Sequence, residues 1–455
     1  MTEYIQTFAY ARPSALRGTG AGRVLGLETA DGLTPAGTEP HPQFFSGFLT
    51  SPQAAARGLL AVADVAAARY HQATRPGLLD PVVTGNGDRL RFESFSGCCG
   101  VYARLDVLQA GLDGAETGHG TTNVDVSASL RESLSRITDG DPLHLRVGPD
   151  ELAVTTLDGQ EVEKKVALPD RWLRGFAEAQ AVSAGFDLRA ELSAAEAVRF
   201  LRSLPISASA SRGAMWAVPA GRSLRLTARP LPAAVCLPGP ERLAVLQQVL
   251  RHATRLRVFG PVPDGPAATA SAWEVTLPGM RLTLTLSPEA GRGFSGEGGV
   301  LEALAADESA EDAETVGLLL SWEPQVDPVD LAQRSGLTVA RVKGALTRLG
   351  TSGQVGYDIA DACYFHRQMP YDTARAERDN PRLVAARSLA SSGAVRLDGP
   401  LATVTSGDVR YQVHERSGVL TCTCRWWAEY RGRRGPCKHA LAVRIARRSA
   451  DVGTP

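Results

Sequence analysis

Apolar positions near the start of the chain recur first with a helical and then with a strand period. Thr50-Ser51-Pro52 supplies a cap and a first-turn proline for an Ala-rich helix that we expect to reach about Tyr70. From about Arg89 onward apolar and polar residues alternate, most clearly over residues 101–107. This alternation predicts half-buried strands, so a helix followed by a sheet is expected here.

A similar order of helix and strands is predicted twice in the body of the chain. An amphipathic helix at 130–137 and another that opens at Gly239-Pro240 each precede three short strands. The predicted strands are 143–147, 151–157 and 161–168 in one unit, and 255–259, 272–277 and 281–286 in the other. Short sequence echoes favour a duplication, and coincidence is the alternative. A helix on a curved antiparallel sheet suits either unit, and two such units resemble the TATA-binding-protein saddle or a helix-grip fold.

An acidic stretch separates this body from the next unit. Residues 302–314 hold six Asp and Glu side chains and no basic one, which is typical of a solvated linker. Beyond it, Asp327-Pro328 caps and starts a helix, Gly336 makes a turn, and Thr338 caps the following helix. With a predicted hairpin at 354–366, this pattern resembles the winged helix-turn-helix class, although other three-helix folds share it.

Length and composition indicate a globular, multidomain protein. The chain has 455 residues, 44% of them hydrophobic and 22% charged, and no run of 18 apolar residues predicts a membrane span. The amino terminus lacks the apolar core of a secretory signal, so we expect a cytoplasmic protein. Arginine outnumbers lysine 45 to 4, which favours a high-GC bacterium, and we expect an actinobacterial source. Because the net charge is zero, any affinity for nucleic acid requires a local basic patch.

Three of the seven cysteines fall close to a histidine near the carboxyl terminus. In an extended strand, residues two apart point the same way, so Cys422 and Cys424 can present both thiolates to one ion. Cys437 and His439 follow Gly435-Pro436 at the start of a predicted helix. Three thiolates and one imidazole form a closed tetrahedral set, which indicates one structural zinc ion rather than a catalytic one. Iron or another soft metal is the alternative.

The spacing of these ligands, Cys-x-Cys, twelve residues, then Cys-x-His, resembles the SWIM zinc finger. The resemblance includes the Tyr-bearing strand, the glycine turn before the first cysteine pair and the Cys-Lys-His-Ala helix start, and it departs at Arg425-Trp426-Trp427. It implies a module that binds DNA or protein, without choosing between them. Actinobacterial chains of this general build also resemble those associated with MoxR-type AAA+ ATPases and von Willebrand A proteins, which implies an adaptor.

Basic residues are concentrated in the finger and in the helix-turn-helix-like segment. Residues 422–448 hold eight Lys and Arg against one acid, and 331–355 hold no acid. One role expected for some of these arginines is to offset the charge of the metal site, and a solvated basic face is the plain alternative. Trp426 and Trp427 either stack on bases or pack the zinc core. The candidate nucleic-acid contacts are Arg334, Arg341, Lys343, Arg348, Arg425, Arg431, Arg433, Arg434 and Arg444.

No catalytic motif accompanies the remaining reactive side chains, so we expect no enzymatic activity. A polar cluster formed by His119, Thr121, Thr122, Asn123 and Asp125 lacks a Walker loop, a nucleophile elbow or a carboxylate pair, and such residues commonly cap helices. The other cysteines, Cys98, Cys99, Cys236 and Cys363, are expected to be small buried hydrophobes, with redox pairing of Cys98 or Cys99 as the alternative.

Together these patterns predict an α+β multidomain protein that acts as a zinc-binding, non-catalytic nucleic-acid-binding or regulatory module. The alternative is a protein–protein adaptor for an AAA+ ATPase and a von Willebrand A partner. The predicted organisation is an amino-terminal region (1–88), an α+β unit (89–210), a second α+β unit (211–300), an acidic linker (301–314), a winged helix-turn-helix-like segment (315–372) and a SWIM zinc finger (381–450).

Overall fold

A computed structural model provides the fold of this chain. It describes residues 15–17, 24–26, 32–34, 37–39, 44–70, 81–114, 117–166, 168–205, 214–294, 300–305, 309–320, 324–367, 380–416, 418–432 and 434–452. None of the helices in these ranges combines the length and the apolar character needed to cross a membrane.

Helices and strands occur throughout the described residues. The helices are α1 (Pro52–Ala67), α2 (Ala128–Arg136), α3 (Asp170–Ser183), α4 (Ala194–Ser203), a 3₁₀ helix (Pro240–His252), α5 (Val300–Leu304), α6 (Ser309–Leu319), α7 (Pro328–Ser335), α8 (Val339–Thr351), α9 (Pro381–Ser391), α10 (Arg425–Tyr430) and α11 (Lys438–Val452), with a 3₁₀ turn at Gln109–Gly111. The strands are β1 (Ala15–Arg17), β2 (Val24–Gly26), β3 (Gly32–Thr34), β4 (Gly37–Glu39), β5 (Phe45–Leu49), β6 (Val82–Asn86), β7 (Arg89–Phe95), β8 (Val101–Leu108), β9 (Leu112–Gly114), β10 (His119–Asn123), β11 (His144–Val147), β12 (Glu151–Thr156), β13 (Gly159–Lys164), β14 (Leu168–Pro169), β15 (Asp187–Ser193), β16 (Met215–Ala220), β17 (Ser223–Thr227), β18 (Val235–Leu237), β19 (Arg255–Gly260), β20 (Ser271–Leu277), β21 (Met280–Leu286), β22 (Val355–Asp358), β23 (Cys363–His366), β24 (Val395–Asp398), β25 (Leu401–Ser406), β26 (Val409–Arg416) and β27 (Val419–Cys422).

The body repeats one local order four times: a leading strand, a helix, and then two or three antiparallel strands. The four motifs are β5-α1-β6-β7-β8, β10-α2-β11-β12-β13, β15-α4-β16-β17 and β18-3₁₀-β19-β20-β21. The first and second motifs form one pair, and the third and fourth form another. In each pair, the leading strand of one motif joins the sheet of the other motif. β5 pairs with β11 and β10 with β6, while β15 pairs with β19 and β18 with β16. Each pair of motifs is therefore interlocked and folds as one unit.

Pairing between β8 and β21 joins the two interlocked units. It creates an eight-stranded antiparallel sheet in the order β10-β6-β7-β8-β21-β20-β19-β15. The other strands of the four motifs, with β9, form a five-stranded sheet, β13-β12-β11-β5-β9, and a three-stranded sheet, β17-β16-β18. Two small sheets, β1-β2-β14 and β3-β4, complete this part of the described chain. The hairpin of β6 and β7 spans the domain boundary predicted at residues 88 and 89, because these two strands are paired over their length.

One face of the eight-stranded sheet is apolar and is covered by helices. Leu105, Leu284 and Trp273 are fully buried on this face, in one core cluster with residues of α1, α4 and the 3₁₀ helix. Gly58 of α1 lies against Leu105 so closely that an added Cβ would sit 2.9 Å from its side chain. Burial of this face contributes to the largest apolar core cluster of the described residues.

The opposite face of the same sheet is charged, yet it is also buried. The hairpin of β22 and β23 covers it, and Asp358 at the hairpin tip lies among arginines of the body. Its carboxylate accepts hydrogen bonds from Arg91 at 2.8 Å, from Arg104 at 2.9 Å and from Arg281 at 3.1 Å. Arg89 lies 3.2 Å away from it. This arginine socket anchors the hairpin to the body.

A second buried ion pair fixes the other end of the hairpin. Arg367 donates to both carboxylate oxygens of Glu93, which also accepts from the hydroxyl of Tyr102. The Arg367 guanidinium lies over the rings of Phe176, in α3, and Phe365, at 4.3 and 4.7 Å from their centroids. The sheet, α3 and the hairpin therefore form one packed layer.

Helices α6, α7 and α8 form a small core of their own beside α3. The caps predicted in this segment are present: Asp327 accepts from the backbone N–H of Val329 at 2.7 Å, and Thr338 accepts from that of Arg341 at 3.3 Å. Gly336 makes the turn between α7 and α8 with a φ of 72°. Helix α8 also contacts α3, where the Gln180 amide donates to the Leu346 carbonyl at 3.1 Å. The segment is thus packed against the body on more than one side.

The carboxyl-terminal module, residues 380–452, is a four-stranded sheet with helices on one face. Its strand order is β24-β25-β26-β27, and all neighbours are antiparallel. Ala402, Val404 and Val413 are fully buried beneath α11. Helices α9 and α11 also share a core cluster with α5, which joins the module to the preceding chain. The other face of the sheet is open to solvent.

Candidate metal centre

The last strand and the following short helix position the first two cysteines. Cys422 ends β27 opposite Val413 and is buried, since strand residues with this parity face the helices. Cys424 caps α10, and its sulfur accepts from the backbone N–H of Trp427 at 3.5 Å. The strand end and the helix start thus hold both sulfurs on the inner side of the sheet.

The second pair of side chains comes from the start of α11. The sulfur of Cys437 accepts from the backbone N–H of Ala440 at 3.4 Å. His439 lies within the first turn of the helix, whose amide groups and dipole favour negative charge at this position. A thiolate at Cys437 is therefore stabilised by its place in the fold.

These four side chains converge on one point. One donor atom from each of Cys422, Cys424, Cys437 and His439 can be chosen so that all lie within 4.8 Å of one another. The four residues are 7, 5, 2 and 4% exposed, and the Cys422 sulfur lies 3.7 Å from Nδ1 of His439. Three sulfurs and one imidazole nitrogen in a closed, buried set fit a tetrahedral zinc ion, and the ligands predicted from the sequence are brought together. Within the described residues, these four side chains thus form one candidate zinc site.

Crowding of the thiols disturbs their protonation. The hydrogen bond with Cys422 lowers the pKa of Cys437 to about 4. The same contact, together with burial, raises the pKa of Cys422. Because buried thiols compete for protons here, a divalent cation that replaces those protons relieves the conflict.

Aromatic and basic side chains surround the zinc ligands. Tyr411 stacks on the imidazole of His439. Trp426 donates its indole N–H to the Gly435 carbonyl at 3.3 Å and lies under the guanidinium of Arg382, 4.4 Å from the ring centroid. Arg434 also lies 5.3 Å from that centroid. Trp426 therefore packs against the protein, which agrees with the prediction that the tryptophans pack the zinc core. Trp427 also packs against the core cluster of the module.

Comparison with known families assigns this module. Residues 406–447 match the family model of the SWIM zinc finger. The carboxyl-terminal module therefore contains a segment that is similar to the SWIM zinc finger, and it is called the SWIM module below. Zinc binding by the SWIM module thus rests on both the matched segment and the four converging donors within it.

Comparison with curated proteins and with solved structures gives only distant similarities. No curated protein matches the chain. Among solved structures, proliferating cellular nuclear antigen from Entamoeba histolytica is 10% identical, with a TM-score of 0.36 over 55% of this chain and 100% of that one. The PCNA2–PCNA3 complex from Sulfolobus tokodaii is 8% identical, with a TM-score of 0.39 over 54% of this chain and 100% of that one.

The nucleic-acid contacts predicted within the SWIM module differ in how far their side chains are exposed. Arg425 and Arg431 are exposed, whereas Arg434 and Arg444 are half-buried. Arg434 lies over the ring of Tyr430, 4.6 Å from its centroid. Arg433 lies outside the described residues. Two of these side chains are therefore fully available at the surface.

The predicted contacts in α7 and α8 are mostly engaged within the protein. Arg334 donates to Asp330 at 3.1 Å, and Arg341 makes two hydrogen bonds, of 2.7 and 3.0 Å, with Asp312. Arg348 is only 4% exposed. Lys343 is exposed. This segment therefore presents less free positive charge than its sequence indicates.

The polar cluster around β10 is built into the sheet. Thr121, Thr122 and Asn123 are fully buried. The Thr122 hydroxyl donates to the Pro149 carbonyl at 2.8 Å, and the Asn123 amide donates to the Val166 carbonyl. Asp125 accepts from the backbone N–H of Val126 at 2.8 Å, and burial lowers the pKa of His119. These bonds hold loops against the strand end.

The remaining four cysteines are not joined in disulfide bonds. Cys236 and Cys363 are buried, and burial raises the pKa of each to about 11. Cys98 and Cys99 are half-buried in the turn between β7 and β8. Cys99 has a φ of 54°.

The candidate contacts predicted from the sequence did not include three arginines on the open face of the SWIM sheet. Arg396, Arg410 and Arg416 are all exposed. They share the face opposite the zinc site, because Val404 and Val413 take the inward positions of their strands. The alternation of arginine with inward apolar residues in β24 and β26 was the available signal.

Proposed function

We propose that the SWIM module is a non-catalytic nucleic-acid-binding surface. The proposal rests on the concentration of positive charge in this module relative to the rest of the chain. Residues 380–452 hold thirteen Lys and Arg against five Asp and Glu, a formal charge of +8, so the remainder of the neutral chain carries −8. A zinc ion with three thiolates and a neutral histidine removes only one of these positive charges. A polyanion is the partner that such a module favours.

The open face of the sheet offers the contact surface. Arg396 lies opposite Thr403, which lies opposite Gln412, and Arg410 lies two residues beyond Gln412 on β26. At the other end of β26, the Arg416 guanidinium donates to Nδ1 of His414 at 3.1 Å. Arginine, threonine and glutamine donors on a flat sheet suit phosphate and sugar oxygens. Asp398 is the acid on this face in the described strands.

Contacts of this kind predict binding that depends on salt and little on sequence. No Phe, Tyr or Trp side chain lies on the exposed face of the described strands β24 to β27, and the imidazole of His414 accepts from Arg416, so base stacking is expected to contribute little. Zinc acts by keeping the sheet and α11 in register. Its ligands do no chemistry because all four positions are filled by protein donors.

Fluorescence anisotropy with the zinc-loaded, full-length protein tests the proposal. Labelled single-stranded DNA, duplex DNA and RNA of mixed sequence are titrated at several salt concentrations. The double variant Arg396→Glu/Arg410→Glu is expected to bind at least ~10-fold more weakly and to show a salt slope smaller by about 2. Arg251→Glu, which changes an exposed arginine of the body, serves as the matched control. Absence of binding to all three probes, or equal binding by the double variant, would refute the proposal.

A protein adaptor is the second candidate function, and exposed apolar side chains favour it. Leu318 in α6 is 74% exposed, Val329 in α7 is 51% exposed, and Val339 in α8 is 36% exposed. An AAA+ ATPase or a von Willebrand A protein is the partner that we propose for this segment. Co-purification of such a partner with the wild type, and its loss with Leu318→Asp/Val329→Asp, would favour the adaptor, and Arg396→Glu/Arg410→Glu should then leave the complex intact.

A further inference from the structure

Within the chain, the last strands of two motifs pair with each other and join two sheets edge to edge. β8 ends the first motif and β21 ends the fourth, and they pair antiparallel from Val101 to Val107. The helices that flank this seam also meet, since Gln248 of the 3₁₀ helix donates to Asp64 of α1 at 2.5 Å. The seam thus combines strand pairing with helix contact.

The corresponding ends of the second and third motifs have no such neighbour. β13 ends the second motif and is an edge of the five-stranded sheet, while β17 ends the third motif and is an edge of the three-stranded sheet. In the part of the chain that the structure describes, each pairs with one strand only, β12 and β16 respectively. Their lengths match, at six and five residues. Open edges of this length are ready partners for another strand.

We propose that β13 of one copy of this chain pairs with β17 of a second copy and continues the sheet across the junction. The occupant of each edge is therefore another molecule of the same protein. Helix α2 beside β13 and α4 beside β17 would then meet as α1 and the 3₁₀ helix do within the chain. The repeated motif order supplies the geometric reason, because the two open ends are the counterparts of the two joined ends.

Charge complementarity supports this pairing. Residues 150–163 carry five acids and no basic side chain, with Lys164 and Lys165 directly after them. Residues 214–239 carry three arginines, at 222, 225 and 229, and no acid. Opposite charges at the two edges favour unlike contact over self-contact of either edge.

Exposed apolar side chains lie at the same two places. Leu157, in the turn before β13, is 71% exposed, and Val162 within β13 is 42% exposed. Leu231, shortly after β17, is 45% exposed. Burial of these side chains between copies would stabilise the junction in addition to the backbone hydrogen bonds.

Because the two edges differ, the contact is heterologous: every copy offers one edge of each kind. Such an interface propagates from copy to copy until it closes into a ring or extends as a filament. This polarity separates the proposal from a symmetric dimer, in which one edge would meet its own counterpart.

Size-exclusion chromatography with light scattering on the full-length, zinc-loaded protein provides the test. The wild type is expected to contain two or more copies. Val162→Lys places a cation on the β13 edge opposite the basic β17 edge, and Arg225→Glu places an anion on β17 opposite the acidic edge. Each variant alone should be a monomer. Val262→Lys and Arg251→Glu make the same chemical changes at other exposed positions and should leave the assembly intact.

An equimolar mixture of the two edge variants gives the decisive result. The Val162→Lys copy retains a native β17 and the Arg225→Glu copy retains a native β13, so these two native edges can pair. The two altered edges carry a new cation and a new anion, which attract each other, so the mixture should again assemble into species of two or more copies. Circular dichroism like that of the wild type shows that each variant is folded. A monomeric wild type, unchanged assembly of the folded variants, or a mixture that stays monomeric would each overturn the proposal.

Discussion

The phenol ring of Tyr411 lies flat on the imidazole of His439, with ring centroids 4.1 Å apart and an angle of 19° between the planes. Nε2 of His439 is buried and has no hydrogen-bond partner in the described part of the chain. Stacking is therefore the contact that fixes the ring with Nδ1 towards the three sulfurs. Outer partners of this kind commonly tune metal affinity.

Removal of that ring should weaken zinc binding without removing a ligand. We expect Tyr411→Ala to lower zinc affinity about 10- to 100-fold. Competition with a chromogenic chelator measures this change. Tyr411→Phe keeps the stacked ring and should retain wild-type affinity. An affinity of Tyr411→Ala equal to that of the wild type would show that the ring only fills space.

Loss of the metal should unfold the SWIM module and leave the body folded. Cys437→Ala removes one ligand, and structural zinc sites commonly contribute about 10–16 kcal/mol of binding free energy to folding. Hydrogen exchange should therefore lose protection in β25, β26 and α11, while β7, β8 and β21 keep theirs. Cys236→Ala, at a buried thiol away from the metal, should retain zinc by native mass spectrometry. Retained protection in β26 after complete zinc removal would contradict this expectation.

Neutralising Asp358 should destabilise the whole described assembly of body and hairpin. Asp358→Asn removes a fully buried charge from among Arg91, Arg104 and Arg281, and breaking a buried ion pair typically costs about 3–5 kcal/mol. The free energy of unfolding in urea measures the effect. Asp330→Asn breaks the exposed pair with Arg334 and should cost below about 1 kcal/mol. Equal losses in the two variants would be the contrary result.

The same carboxylate should make stability fall in acid. Burial alone would raise the pKa of Asp358, but Arg104, Arg91 and Arg281 outweigh burial and hold that pKa well below 3.8. Arg367 likewise outweighs burial at Glu93 and lowers its pKa below 4.5. A depressed native pKa stabilises the fold above the pKa of the unfolded chain, and the stabilisation is lost as pH falls through the native value.

Unfolding midpoints measured between about pH 6 and about pH 3 test this linkage. The wild type should hold its midpoint down to about pH 5 and then lose stability as the unfolded chain takes up protons. Asp358→Asn should lose less over the same interval because it lacks one of the two carboxylates. Parallel pH profiles for both proteins would assign the acid sensitivity to other groups.

Local patterns in the sequence predicted much of the secondary structure and the whole metal site. The strand predicted at 255–259 is found at Arg255–Gly260, and the one predicted at 272–277 at Ser271–Leu277. The four zinc ligands were found because thiol and imidazole groups at Cys-x-Cys and Cys-x-His spacing are informative on their own. Each of these features depends on residues that are near neighbours in the chain.

Features that depend on distant residues could not be predicted in the same way. Arg89, Arg91 and Glu93 alternate with apolar residues in β7, which normally indicates a solvent-facing side of a sheet. That side is buried because Asp358 and Arg367 supply opposite charges from more than 260 residues away. The exchange of β5 and β10 between the first two motifs likewise has no local signal. It depends on which group of strands each of them pairs with, and β5 pairs with β11 while β10 pairs with β6. Opposite charges spaced two apart on neighbouring strands were the one available hint of the arginine socket.

The arginine socket also has a consequence for synthesis on the ribosome. Arg89 and Asp358 are separated by 269 positions, so the cations of β7 and β8 emerge long before the carboxylate that they surround. At about 5–20 residues per second, the interval is roughly 13–54 seconds. During that interval a nascent chain can form the apolar side of the sheet but must leave its charged side hydrated. Completion of the body is therefore a late event in translation, timed by the arrival of the hairpin.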